Sequence, residues 1–146
     1  MQIQKILYPT DLSENAAAAL PHLTSLSEKY QAEIHVLHVL KSYGEWGAAY
    51  GEYDPADYEK MRRWERQTAE KRLDEICSKY LDQCILYVKH IAVGDAAEEI
   101  LRLIDAQGID MVVLTAKGGA GRFDFGSVAE RVLRCSPVPV VTVPVP

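Results

Sequence analysis

Glycines at 118, 119, 121 and 126 crowd the segment Ala116-Lys-Gly-Gly-Ala-Gly-Arg-Phe-Asp-Phe-Gly-Ser-Val, where a bare backbone can approach a ligand closely. Gly126-Ser127 opens a helical pattern. A helix start presents unpaired N–H groups and a partial positive charge, which suits phosphate. Lys117 and Arg122 add cationic reach. The same residues also read as a plain connector with Ser127 as a helix cap. Gly121-x-x-x-x-Gly126-Ser127 looks like a Walker loop only until its lysine position, where serine stands.

A carboxylate follows the first apolar run, in Pro9-Thr10-Asp11-Leu12-Ser13. At the carboxyl edge of a sheet, Asp11 can accept hydrogen bonds from ribose hydroxyls or a base. Its other role is to cap the first helix, and different lone pairs allow both. A third segment, 41–53, exceeds the roughly two to six residues usual for an α/β loop. It carries Tyr43, Trp46, Tyr50 and Tyr53 among Gly44, Gly47 and Gly51. It reads either as a lid whose aromatic faces cover a base or as an ordered loop packed on the surface or a partner.

Other chemistries fail on spacing. His35 and His38 are three apart in a strand-like run, so they face opposite ways and cannot share a metal. His22 and His90 have no neighbour at ligand spacing and read as surface or satisfied core histidines. There is no Gly-x-Ser-x-Gly elbow and no His-Glu-x-x-His helix. Cys77, Cys84 and Cys135 form no C-x-x-C and sit in apolar-patterned segments, as buried inert thiols do. No constellation amounts to a catalytic centre, so catalytic residues are set at none and enzymatic activity is left open, at most as slow ATP hydrolysis.

The elements that must position these segments alternate. Strands are predicted at Ile3–Tyr8, Ala32–Leu40, Cys84–Val93, Ile109–Thr115 and across PVPVVTVPV. Between them lie a helix through about Tyr30, bent at Pro21, then Asp54–Tyr80, Ala96–Ala106 and one beginning at Val128. Met61, Trp64, Leu73, Ile76 and Tyr80 mark the apolar face of the long helix. Asp11/Glu14, Asp95/Glu98 and Ser127/Glu130 have capping-box spacing, and Asp54-Pro55 opens the long helix with a cap and proline. Five strands alternating with four helices predict a three-layer α/β sandwich of parallel strands. Ligands of such sheets bind beyond the strands' carboxyl ends, which directs attention to the loops after the first, second and fourth strands.

Together, ILYPTDLSENAAAAL, IHVLHV, VGDAAEEI, IDMVVLTAKG and GSVAERVLRCSPVPVVTV resemble the universal stress protein family, in order and over nearly the whole chain. The resemblance implies a Rossmann-like, adenine nucleotide alpha hydrolase-like five-stranded parallel sheet with helices on both faces. It also implies a homodimer that pairs the last strand, Val138–Val145, across a two-fold axis. One branch of the family binds ATP or a related adenine nucleotide through Gly-x-x-Gly, nine residues, then Gly-Ser or Gly-Thr. Here Thr115 stands at the first glycine and Gly118 at the second, with only seven residues before Gly126-Ser127. The implied nucleotide site comprises Pro9, Thr10, Asp11, Val39, Leu114, Thr115, Lys117, Gly118, Gly121, Arg122, Gly126, Ser127 and Val128. Its ligand would be ATP, ADP or AMP, with Mg²⁺ as an optional companion. The alternative is a nucleotide-free interaction protein of the same family, its shortened loop having lost ATP.

Composition sets the outer bounds. A chain of 146 residues, 48% hydrophobic and 25% charged, predicts one globular domain over 1–146. A formal charge of −5 argues against bulk binding to nucleic acid or anionic membrane. No apolar run approaches the ~20 residues of a membrane span. MQIQKILYPTDLSE lacks the features of a signal peptide, so a cytoplasmic location is expected.

Overall fold

The computed structural model describes residues 1–41, 55–81, 86–116 and 126–145. The aromatic segment, Cys84, Asp54, Lys117, Gly118, Gly121 and Arg122 lie outside the described residues. Strands β1 (Lys5–Pro9), β2 (Glu33–Leu40), β3 (Tyr87–Val93), β4 (Met111–Thr115) and β5 (Val140–Val143) form one sheet in the order β3-β2-β1-β4-β5. Every pairing is parallel, as the alternation of elements predicts.

Side-chain alternation along the strands builds two cores. Ile6 and Tyr8 of β1, Ile34 and Val36 of β2, and Met111 and Val113 of β4 face one side. There they meet Leu20 and Leu23 of α2 (Leu20–Tyr30) and Ala69, Leu73 and Cys77 of α3 (Pro55–Tyr80). Leu7, Leu37, Val112 and Leu114 face the other side. They pack on Ile100 and Ile104 of α4 (Ala96–Gln107) and Ala129 and Val132 of α5 (Ser127–Cys135). Central strands buried on both faces explain why β1 and β4 read as continuous apolar runs.

Several boundaries differ from the sequence expectation for local reasons. The first helix is two helices, α1 (Glu14–Ala17) and α2, not one bent rod. Ala18 and Ala19 donate to carbonyls three residues back, tightening the turn between them. Pro21 then falls in the first turn of α2, where its missing N–H costs no hydrogen bond. The ladder of β5 covers only Val140–Val143 of PVPVVTVPV, since prolines at 137, 139 and 144 cannot donate.

The long helix also departs from expectation. Its 26 residues span about 39 Å, whereas β2, the longest strand, has 8 residues and spans about 26 Å. The helix therefore overhangs the sheet. Its buried stripe is Ala69, Leu73 and Cys77, and residues 56–68 bury no side chain. Met61, Trp64 and Tyr80 are exposed, Trp64 at 65%. Cys77 is buried as predicted, but Cys135, the last residue of α5, is exposed.

Candidate functional site

Strands β1 and β4 are sheet neighbours, but the chain leaves β1 toward α1 and α2 on one face and leaves β4 toward α5 on the other. This is the reversal of strand order at which open α/β sheets leave a crevice. The register pairs Leu7 with Val112, which brings Pro9 level with Leu114 at its rim.

The loop after β1 is fastened from several directions. Thr10 is buried; its N–H donates to Leu37 O at 2.8 Å, and its Oγ1 accepts from Leu12 N–H at 3.0 Å. Asp11 is exposed, and its Oδ1 accepts from Ser13 N–H at 2.9 Å and from the Ser13 hydroxyl. Ser13, not Asp11, caps α1, with Oγ accepting from Ala16 N–H at 3.2 Å. The reason is spacing: Asp11 closes an Asx turn on Ser13 and so aims the cap without being it. Tyr8 donates its hydroxyl to Ala16 O at 2.8 Å, joining β1 to α1, and burial pushes that phenol up to about 12.

The β4 side meets this loop at the same sheet edge. Leu114 is buried and Thr115 half-buried. Ala116 N–H donates to Val143 O at 3.0 Å, and Gly126 N–H donates to Ala116 O at 2.7 Å. The second bond returns the chain to the end of β4 after 117–125, so α5 starts at the crevice. Gly126, in extended conformation with φ −70° and ψ 153°, is the N-cap, and among the described residues no side chain caps the helix. Ser127 is the first helical residue rather than the predicted cap, and both it and Val128 are exposed. The capping geometry predicted at Asp95 is present, with Oδ2 accepting from Glu98 N–H at 3.0 Å. Glu98 does not complete the box; its carboxylate and that of Asp95 pair with Arg131 of α5, at 3.3 and 2.9 Å.

Of the predicted residues, Pro9, Thr10, Asp11, Leu114, Thr115, Gly126, Ser127 and Val128 thus gather at the ends of two adjacent central strands. Val39 lies one residue from the end of β2, half-buried against the α4 and α5 core. Lys117, Gly118, Gly121 and Arg122 lie outside the described residues.

Two residues that sequence reasoning missed act on the β1 loop. His38 Nδ1 lies 2.9 Å from Thr10 O, and Arg72 of α3 donates from Nη2 to Leu12 O at 2.7 Å. The parity of β2 hinted at His38, since it shares a face with Val36 and Leu40 beside β1. Nothing local marks Arg72, which lies 60 positions away. His35 and His38 do face opposite ways, and His90 finds its partner across strands. His35 Nδ1 and His90 Nε2 are 2.9 Å apart with rings inclined by 12°. The 5.1 Å between centroids is close to that gap plus one ring width, so the rings meet edge to edge with one proton between them. His35 Nε2 also lies 2.9 Å from Glu33 Oε1, off the hydrogen-bond direction. Burial lowers the basicity of both histidines.

Among the described residues, no group of three His, Cys, Asp or Glu is placed to hold a metal, and no helix is long and apolar enough to cross a membrane. A groove of about 390 Å³ runs between β3 and α4, lined by Leu37, His90, Ala92 and Leu103. None of the predicted site residues lines it.

A parallel β3-β2-β1-β4-β5 sheet between two helical layers defines a doubly wound α/β protein with its crevice at β1 and β4. A profile described as Universal stress protein family matches residues 2–144, and the chain belongs to that family. Universal stress protein MJ0577 of Methanocaldococcus jannaschii is 29% identical over 153 residues, covering 96% of this chain and 94% of its own. The solved structure of MJ0577 superposes with a TM-score of 0.84 at 26% identity, covering 100% of this chain and 99% of that one. The universal stress protein of Archaeoglobus fulgidus solved in complex with dAMP shares the fold, with TM-score 0.65, 18% identity and coverage of 97% and 98%. So does an Arabidopsis thaliana family protein solved with AMP bound, with TM-score 0.60, 17% identity and coverage of 97% and 91%.

Proposed function

We propose that this chain is a cytoplasmic adenine-nucleotide-binding module that takes part in stress responses as a homodimer. One observation carries the reading: the Asp11 loop and the start of α5 meet at the strand-order reversal, the latter with no side-chain cap on its amides among the described residues. A phosphate there would meet the N–H groups of the first turn and the Ser127 hydroxyl. The Asp11 carboxylate would accept from the ribose or base, and the backbone beside Val39 would face the base. Lys117 and Arg122 would add charge, and Gly118 and Gly121 room for backbone approach. The dAMP and AMP complexes of the two fold relatives support an adenine nucleotide as the ligand class. A short phosphate chain suits the shortened segment between Thr115 and Gly126, which puts AMP and ADP beside ATP as ligands.

Strand β5 ends the sheet and offers its outer edge to a second copy through Val138–Val145. The whole chain would act as one domain and respond to nucleotide rather than turn it over. The test is to denature freshly purified protein and identify released nucleotides by mass spectrometry, alongside thermal shifts with AMP, ADP and ATP. A ligand at 100 times its dissociation constant adds about 2.7 kcal/mol, a rise of several degrees. Protein that releases no nucleotide and does not shift at millimolar concentrations would instead favour the nucleotide-free reading.

A further inference from the structure

Leu12 holds a left-handed backbone, φ 67°, inside the loop that carries Asp11. A branched side chain resists that conformation, so the surroundings must impose it. The side chain anchors in the α2 and α3 core at 7% exposure, and the N–H is held by Thr10 Oγ1. The carbonyl is held by Arg72 at 2.7 Å. Without that guanidinium, the strained peptide would keep its N–H partner and lose its carbonyl partner. The Asx turn from Asp11 to Ser13 straddles this peptide, so any relaxation at Leu12 re-aims the carboxylate.

We propose that Arg72 is a positioning residue for the site. By fixing the Leu12 carbonyl from α3, it keeps the loop wound so that Asp11 faces the crevice. This rests on the nucleotide reading above. Arg72 does not touch the ligand, and its effect passes through the backbone of Leu12.

A double-mutant cycle read by nucleotide titration tests this, with AMP and ADP as probes and each variant held well below its melting temperature. Removing an ionic hydrogen bond on an exposed arginine predicts that R72A binds about three- to tenfold more weakly. R72K, which retains a donor of similar reach, restores most of the affinity. Asp11→Ala removes the carboxylate that the clamp aims, and with it the route by which Arg72 acts on affinity. In that background R72A should change affinity less than about twofold. Equal losses in both backgrounds, or an R72A variant that binds as wild type, would overturn the proposal. A wild-type protein that binds neither probe would overturn the nucleotide reading instead. The clamp is then decided by amide exchange: R72A must speed exchange at Leu12 and Ser13 while β1 and β4 stay protected, and unchanged exchange sinks it.

Discussion

Asp11 and the two interior histidines answer different questions about this molecule. Asp11 is exposed, so D11A should change the stability of the fold little. Its effect belongs to the ligand: nucleotide affinity should fall about tenfold or more, as expected when a charged acceptor is lost. Calorimetric titration reads the loss of affinity and thermal melting the intact fold. His35 and His90 concern the fold itself. Both are less basic than the ordinary 6.5, first because of burial, and for His90 next because of the charge on His35. The unfolded chain therefore binds protons more readily than the native one as pH falls below about 6.5. Stability is full above that value and declines through the mildly acidic range. Protonating both rings would also set two N–H donors face to face across 2.9 Å. Denaturant melts between pH 7.5 and 5 should show this slope in the wild type and a shallower one in H90Q.

At the scale of elements, α5 offers a substitution whose two effects have opposite signs. Ser127→Glu places an anion in the first turn, where the helix dipole favours it by about 0.3–1 kcal/mol. The same charge repels a phosphate. The variant should melt at or slightly above the wild-type temperature and lose its nucleotide-dependent shift. Helix α3 gives a second contrast. L73A empties a fully buried position and should cost about 2–5 kcal/mol. Trp64→Ser lies on the overhanging half, so its effect should stay within about 0.5 kcal/mol despite the larger side chain. Chemical denaturation separates the two. Sequence periodicity found this helix but set Met61 and Trp64 on its core face. A repeat of apolar residues shows which side is apolar, not how far the sheet beneath extends.

For the whole molecule, the order of the sheet decides where chemistry can occur, and that order was not legible. Alternating elements disclosed the five parallel strands, and the Asp11 and Gly126-Ser127 segments disclosed two candidate loops. Their meeting depends on β1 lying beside β4, a pairing between strands roughly a hundred residues apart. The cap at Ser13, the clamp from Arg72 and the His35–His90 pair were hidden for the same reason: each depends on tertiary neighbours or exact turn geometry. If β5 pairs with its copy, light scattering should give twice the 16.3 kDa chain mass, and T142P should reduce it by removing a donor on the outer edge, where the Thr142 N–H faces away from β4.

The central claim is that the crevice between β1 and β4 holds an adenine nucleotide with its phosphate on α5. Calorimetric titration of wild type and S127E with AMP and ADP tests this most directly. The account predicts saturable binding of one nucleotide per chain in the wild type and none in S127E at the same concentrations, with both proteins folded. No heat in the wild type at millimolar nucleotide, or equal affinity in the two proteins, would contradict it.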